Sequence, residues 1–157
     1  MEHSSPGCYA AEEEHRLKEL EDRLDYHFRD GLLLREALTH ASFSNENGLE
    51  YCNERLEFLG DAVLELCVSE TLFKRYPEAS EGELSARRAS LVCEDSLSEW
   101  AVKVGIPESL RLGRGLCKSG GRQQPSLSAD AAEAVFGAVL IDGGYEAARA
   151  MIEKYLE

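Results

Sequence analysis

The stretch NERLEFLGDAVL, residues Asn53–Leu64, decides the fold because its acidic residues are spaced for one side of a helix. At about 100° per residue, the acids fall within an arc of roughly 80°; they are Glu54, Glu57, Asp61 and Glu65. The opposite face carries the apolar residues Leu56, Leu59, Val63 and Leu66. The stretch therefore predicts a helix with one apolar face and one acidic face.

Two interpretations of the acidic face are open on this spacing alone. The simpler one is a surface helix whose polar face is solvated. Against it, carboxylates four residues apart repel one another, and no Lys or Arg lies within the stripe to neutralise Glu57, Asp61 and Glu65. Because Phe58 and Leu64 flank these acids, the cluster also suits a magnesium ion beside apolar surface.

A second stretch, AAEAVFGAVLI at Ala131–Ile141, is apolar on every face of a helix, which predicts burial all round. Glu133 is its only polar side chain, and Asp130 lies on the same face. Buried carboxylates need a partner. The alternative is that both acids favour the positive end of the helix dipole, near a start capped by Ser126 or Ser128.

Composition limits the class of protein. The net charge is −13, from 17 Lys and Arg against 30 Asp and Glu, which by itself argues against a polyanionic partner unless the acids hold cations. The five cysteines form an odd set without paired spacing, so neither a zinc site nor a disulfide framework is predicted. No apolar run could span a bilayer and no signal peptide is recognisable, so we expect a cytoplasmic protein without membrane contact.

The remaining segments also favour helices. Residues 1–10 carry Pro, Gly and Ser without periodicity and are predicted to be a disordered tail, whereas residues 11–157 form one domain. The polar segment Ser42–Tyr51 is predicted to be a loop. No segment alternates as a strand does, so the predicted fold class is all-α.

Local signals set some helix ends. Asn53 is a plausible N-cap for the first acidic helix, which should end near Arg75, and Ser80 with Glu83 forms a capping box for the next helix. His40 is interpreted as a packing or hydrogen-bonding residue rather than a catalyst.

The clearest basic segment is Arg111–Arg122, which contains four glycines and no acid. Its cations are Arg111, Arg114, Lys118 and Arg122. Glycine lets backbone amides approach an anion and the cations attract it, although a mobile surface loop is the alternative. Arg87 and Arg88 are expected to be solvated or ion-paired, yet their helix could present a guanidinium to a phosphate.

Taken together, NERLEFLGDAVL and the later block SLSADAAEAVFGAVLID resemble the catalytic domain of bacterial ribonuclease III. Three further segments match in order: LTHASF at Leu38–Phe43, EGELSARRASLV at Glu81–Val92 and LRLGRGLCKSGG at Leu110–Gly121. The resemblance extends from about Leu20 to the C-terminus. It implies the helical fold of the ribonuclease III endonuclease domain.

The resemblance also implies the site residues. The positions that match the family's metal-binding carboxylates are Glu57, Asp61, Asp130 and Glu133. Of these, Asp61 and Glu133 are assigned as catalytic. Glu54 and Glu81 match acids with supporting roles, whereas Glu65 lies outside the signature and is predicted to be a surface acid.

Two acids from each of two helices can surround a pair of divalent cations, an arrangement suited to in-line phosphodiester hydrolysis. Oxygen ligands favour Mg²⁺, with Mn²⁺ as a substitute. The resemblance implies double-stranded RNA as the substrate and 5′-phosphate and 3′-hydroxyl ends with a short 3′ overhang. The basic segment Arg111–Arg122 is our candidate for contact with the RNA strands. The resemblance further implies a homodimer in which Phe58 inserts into the partner subunit, with core packing of Phe58 within one chain as the alternative.

Typical bacterial members continue into a double-stranded-RNA-binding domain, whereas this sequence ends where the nuclease domain should end. It is either cut at the domain boundary or lacks that module, so we expect weak, salt-sensitive RNA binding. Two rival functions remain: a catalytically silent RNA-binding or dimerising scaffold, and an all-α nucleotide pyrophosphohydrolase. The four intact carboxylates argue against the first, and the ordered match of several motifs argues against the second.

Overall fold

The computed structural model describes residues 6–157, with side chains from Ala10 onward, as ten α-helices and one 3₁₀ turn. The helices are α1 Pro6–Leu24, α2 Gly31–Ala37, α3 Ala41–Asn47, α4 Glu54–Arg75, α5 Glu81–Leu91, α6 Glu94–Val104, α7 Ile106–Ser109, α8 Arg114–Lys118, α9 Pro125–Gly143 and α10 Tyr145–Tyr155, and the 3₁₀ turn is Gly121–Gln123. No strand forms within these residues, and Thr39 and Arg111 make one isolated bridge. The all-α prediction is confirmed. The predicted tail over residues 1–10 lies partly outside the described residues, and α1 already begins at Pro6.

The helix α9 is the centre of the domain, with α4, α6, α10 and α2 packed around it. Its residues from Ser128 to Val139 are buried apart from the two acids. The predicted burial all round is therefore confirmed for most of the stretch, because neighbouring helices cover α9 on several sides. It is wrong for Ile141, which is 56% exposed near the end of the helix.

Two glycines allow α4 and α9 to cross with their backbones almost in contact. A Cβ on Gly60 would overlap the backbone carbonyl of Glu133, and a Cβ on Gly137 would overlap that of Leu56. Any larger residue would push the helices apart. This crossing places the acidic face of α4 beside Glu133.

An aromatic cluster fixes α6 and α10 to the central helix. The ring of Trp100 lies 5.0 Å from that of Phe136 in α9 and 5.7 Å from that of Tyr155 in α10, between ring centroids. Such offset and edge-to-face pairs stabilise a core beyond their buried area. The Tyr155 hydroxyl also donates to the backbone carbonyl of Leu91, at the end of α5.

The bounds of α4 and the capping box of α5 agree with the predictions. Ser80 and Glu83 make both reciprocal bonds of the box. Asn53 precedes α4 as expected, but its side chain, although buried, makes no capping hydrogen bond. On the apolar face, Leu56 and Val63 are buried, whereas the expectation for Leu66 is wrong because it is 52% exposed.

Two other local predictions are wrong. The predicted loop Ser42–Tyr51 contains most of α3, because the Nδ1 atom of His40 accepts a 3.0 Å hydrogen bond from the Ser42 amide and caps the helix. The helix α9 begins at Pro125, so Ser126 and Ser128 lie inside its first turn and cap nothing. Proline suits this position because its ring presets the helical φ and it has no N–H to satisfy.

No helix in the described part of the chain combines the length and the apolar character needed to cross a membrane. The cysteines whose side chains are described are free thiols: Cys52, Cys67, Cys93 and Cys117.

Candidate metal centre

Three of the four predicted metal-binding carboxylates converge where α4 crosses α9. Glu57 from α4 and Asp130 and Glu133 from α9 each offer one oxygen atom, and these atoms all lie within 4.8 Å of one another. The glycine crossing explains this convergence, since Gly60 lies one turn beyond Glu57 and touches Glu133 itself. Three hard oxygen ligands at this separation could hold a divalent cation.

The fourth predicted ligand, Asp61, lies outside this group of oxygen atoms. It is exposed, one helical turn after Glu57 on α4. The charge of Asp61 nevertheless raises the pKa of Glu133, and it does so more than the charge of any other acid does. Asp61 therefore lies at the rim of the cluster, within electrostatic reach of it.

The two predicted supporting acids also lie outside the cluster. Glu54 is exposed, and its charge contributes to the raised pKa of Glu57. Glu81 is exposed at the start of α5, where its Oε1 atom accepts a 2.6 Å hydrogen bond from the Ser85 hydroxyl.

The cluster raises the pKa of each of its carboxyls. Burial is the largest cause for all three, and it raises the pKa of Glu133 to about 8 together with the charges of Asp61, Glu57 and Asp130. The pKa of Glu57 is raised by burial and by the charge of Asp130. Carboxylates this close to one another favour either a bound proton or a bound cation.

No positive side chain of the described region neutralises the cluster. None of its three carboxylates forms a hydrogen bond or an ion pair with Lys or Arg in residues 10–157. Among the predicted acids of α4, Glu65 is the one that Arg88 neutralises: the Nε atom of Arg88 lies 2.9 Å from a carboxylate oxygen of Glu65, and its Nη1 atom donates to the Ser69 hydroxyl at 2.9 Å. The unneutralised set of hard oxygen ligands therefore fits a divalent metal ion.

Two residues that shift the pKa of Asp130 were not predicted from the sequence. After burial, Glu94 at the start of α6 is the main cause of the raised pKa of Asp130, and His40 opposes it. Glu94 had no recognisable signal because an acid in the first turn of a helix is common. His40 has the hydrogen-bonding role that was predicted, since its Nδ1 atom caps α3.

Much of the basic segment is helical, in α8 and the 3₁₀ turn, and three of its four cations contact the protein. Arg111 donates to Thr39 and Tyr51 and pairs with Glu13 at 3.3 Å. Arg122 donates to the carbonyls of Pro107 and Leu110, and Arg114 pairs with Glu46 at 2.6 Å. Of the four cations, only Lys118 forms no hydrogen bond or ion pair within the described residues. The predicted contact of all four with RNA stays a prediction.

Phe58 projects from α4 into solvent and is 81% exposed. It does not pack in the core of its own chain, so that alternative is wrong. An apolar cavity of about 590 Å³ lies beside it, and its lining includes Leu33, Leu56, Leu59 and Ile141 together with Glu54. The exposed ring and the adjacent cavity form one apolar surface at the edge of the metal centre.

Comparison with known proteins gives a consistent result. A sequence model described as ribonuclease-III-like matches residues 30–157. Ribonuclease 3 of Bdellovibrio bacteriovorus is 48% identical over 139 residues, which is 87% of this chain and 59% of that protein. Ribonuclease 3 of Oleidesulfovibrio alaskensis is 53% identical over 132 residues, covering 83% and 58% respectively.

Solved structures give the same result. A structure of the nuclease domain of ribonuclease III from Campylobacter jejuni, described for a region involved in dimer formation, matches with a TM-score of 0.86 and 40% identity. The match covers 90% of this chain and 96% of that one. Dicer from Pichia stipitis matches with a TM-score of 0.60 and 27% identity, over 80% of this chain and 53% of that one.

The fold is thus that of a helical nuclease domain. The chain belongs to the ribonuclease III-like family. It spans 59% of the length of the Bdellovibrio relative and a similar share of the other curated relatives described above.

Proposed function

We propose that this chain is a metal-dependent endoribonuclease that cleaves double-stranded RNA. The observation that carries the proposal is the convergence of Glu57, Asp130 and Glu133 within 4.8 Å in a chain of the ribonuclease III-like family. A scaffold retained only for binding would have no need to hold three unneutralised carboxylates together, because their repulsion costs stability.

The metal is Mg²⁺, with Mn²⁺ as a substitute, held by Glu57, Asp130 and Glu133 with Asp61 at the rim. When bound, a pair of such ions would activate the attacking water and stabilise the leaving oxygen of an in-line phosphodiester displacement. The products are a 5′-phosphate and a 3′-hydroxyl end, with a short 3′ overhang.

The chain's own residues have separate tasks in this site. Glu133 is the most strongly perturbed acid and is the one that must lose its proton before a metal ion can bind. Asp61 and Glu133 are the catalytic acids, and Glu54 and Glu81 support the site from the N-terminal ends of α4 and α5. Lys118 is the best placed of the predicted RNA contacts because it has no partner within the described residues; Arg111, Arg114 and Arg122 would first have to leave theirs.

The active form is a homodimer. The exposed Phe58 ring and the apolar cavity beside it support this, because an aromatic side chain 81% exposed next to apolar surface favours association. The cavity also contacts Glu54, so the partner subunit would approach the metal centre closely. The protein would act in the cytoplasm, where RNA duplexes are available.

One experiment tests the proposal directly. A labelled RNA duplex of about 30 base pairs is incubated with the protein in Mg²⁺ or in EDTA, and the product ends are sequenced. We expect cleavage only with Mg²⁺ or Mn²⁺, with 3′ overhangs. Glu133→Gln should abolish cleavage while duplex binding persists, whereas Glu146→Gln, an exposed acid at the start of α10, should cleave normally.

The rival functions predict other results. Equal cleavage by Glu133→Gln and the parent would remove Glu133 from the site. Duplex binding without cleavage in any divalent metal would favour the scaffold. Hydrolysis of nucleoside triphosphates without RNA cleavage would favour a nucleotide pyrophosphohydrolase.

A further inference from the structure

Two arginines flank one tyrosine ring where α4 ends against α5. The guanidinium carbon of Arg87, from α5, lies 4.3 Å from the centroid of the Tyr76 ring, and that of Arg75, the last residue of α4, lies 5.8 Å from it. Arg75, Tyr76 and Arg87 are called the arginine–tyrosine cluster below. Its ring holds two positive charges close together at the protein surface.

Neither arginine of this cluster has an anionic partner within residues 10–157. Neither forms an ion pair or a side-chain hydrogen bond, although the chain carries 13 more negative than positive charges. The nearest acid along α5, Glu83, is engaged by Ser80 in the capping box, and the charge of Arg87 is only the last of the causes that lower its pKa. Other arginines, such as Arg88, are paired with acids.

The space between these side chains suits a small anion. A cavity of about 180 Å³ is lined by all three residues of the arginine–tyrosine cluster, with Ser90 and Leu91 from α5. A guanidinium stacked on an aromatic ring keeps its N–H edge free, and this planar fork matches the oxygens of a phosphate. Both arginines are exposed, so an approaching ligand meets the N–H groups first.

The position of the cluster relates it to the metal centre. Arg75 follows Glu57 by eighteen residues on α4, which is about five full turns and roughly 27 Å along the helix axis. The cluster and the carboxylates therefore lie on the same side of α4. The Arg88–Glu65 ion pair lies between them and holds α5 against α4.

We propose that the arginine–tyrosine cluster binds a backbone phosphate of the RNA duplex whose scissile bond lies at the carboxylate cluster, roughly 27 Å away along α4. This inference rests on the proposed function. A duplex displays phosphates at every step of both strands, so a rigid cation pair at a fixed distance would set the path of the duplex across the protein. Its contribution should be independent of base sequence and sensitive to salt.

The test measures how duplex binding depends on salt. In the Glu133→Gln background, the dissociation constant for a duplex of about 30 base pairs is measured at about 50 mM and about 200 mM KCl. The salt slope is the slope of log Kd against log KCl concentration. Removing both cations, with Arg75→Ala and Arg87→Ala together, should lower this slope by the amount that about two phosphate contacts contribute. The ratio of Kd at the two salt concentrations should therefore fall roughly tenfold relative to the Glu133→Gln parent.

A charge-matched control separates this site from a general charge effect. Arg29→Ala with Lys103→Ala removes two exposed cations elsewhere and should leave the slope at the parent value. With Glu133 intact, loss of the two cluster arginines should raise KM for the duplex and leave kcat unchanged. Arg87→Ala alone should lower the slope by the amount that about one phosphate contact contributes. Because Arg87 is exposed on α5, this single variant replaces the double variant in the test if the double variant is unstable.

Each outcome decides the proposal. A parental salt slope in the cluster variant, or an equal drop in the control pair, overturns it. If inorganic phosphate or an acidic peptide binds the cluster while the salt slope of RNA binding is unchanged in the cluster variant, the cluster binds another anion and the proposal is also overturned. Failure of the parent itself to bind duplex RNA would instead refute the proposed function, on which the inference depends.

Discussion

Gly60 of α4 lies directly against the backbone carbonyl of Glu133 in α9, with no room for a Cβ between the two helices. We therefore expect Gly60→Ala to lower the free energy of unfolding by about 3 kcal/mol, because the helices must separate to admit one methyl group. Urea denaturation followed by circular dichroism measures this change. The same variant should bind Mg²⁺ more weakly, because Glu57 and Glu133 move apart.

Gly82→Ala is the matched control for this prediction. Gly82 lies in α5 with nothing within 4 Å of a Cβ, so alanine should keep or raise stability by up to about 1 kcal/mol through its helix propensity. Equal stabilities of Gly60→Ala and the parent would show that the close crossing is not needed.

The stability of the metal-free protein should depend on the protonation of Glu133. Its pKa is raised to about 8 in the folded chain from an ordinary value of 4.5, so the folded state binds this proton more tightly. The stabilisation is complete below the ordinary pKa and is lost as the pH rises through about 8. In EDTA, the melting temperature should therefore fall between about pH 5 and about pH 8.

Glu133→Gln should flatten this pH dependence, because the amide does not titrate. Acids whose pKa is lowered, such as Asp142 and Glu46, lose their contributions at more acidic pH and do not produce the slope. Added Mg²⁺ should raise the melting temperature more at about pH 8 than at about pH 6, because metal and proton compete for the carboxylates. An unchanged slope in Glu133→Gln would assign the effect to another group.

Phe58 should control association and not the stability of the isolated fold. We expect Phe58→Glu to shift a dimer to monomer in sedimentation equilibrium, because a charge on the apolar surface opposes its burial. Its far-ultraviolet circular dichroism should match that of the parent, since the ring is 81% exposed. Phe73→Glu, at a position 72% exposed on the same helix, should leave the association state unchanged; monomerisation by both variants would argue against a specific contact.

The cations of the basic segment should divide into structural and RNA-contacting residues. Arg111→Ala should lower the free energy of unfolding by about 2 kcal/mol, because it removes hydrogen bonds to Thr39 and Tyr51, the pair with Glu13 and stacking on Phe43. Thermal or urea unfolding measures the loss. Lys118→Ala should leave stability unchanged and reduce duplex affinity instead. The opposite pattern would reverse these roles.

The predictions that depended on periodicity agree best with the structure. The acidic helix runs from Glu54 to Arg75, and α9 is buried over most of its apolar stretch, because helical spacing alone determines which residues share a face. Both features are encoded within single helices. The pairing of Glu57 with Asp130 and Glu133, by contrast, was implied by the resemblance to the ribonuclease III family and not by periodicity.

Features that depend on helix crossing could not be predicted from the sequence. Asp61 lies outside the converged group because the crossing point at Gly60 and Gly137 decides which turn of α4 faces α9. Arg111 turns inward because α1 supplies Glu13 and the loop before α4 supplies Tyr51, neither of which is near it in sequence. The start of α9 at Pro125 was also not predicted, because Ser126 has equally good capping chemistry in the sequence.

Trp100 is the chain's single tryptophan, and its ring stacks on Phe136, three residues beyond Glu133 on the same helix. The fluorescence of Trp100 should therefore report on how α9 packs against α6. Emission wavelength and quenching can follow both unfolding and cation loading in unlabelled protein, without interference from a second indole.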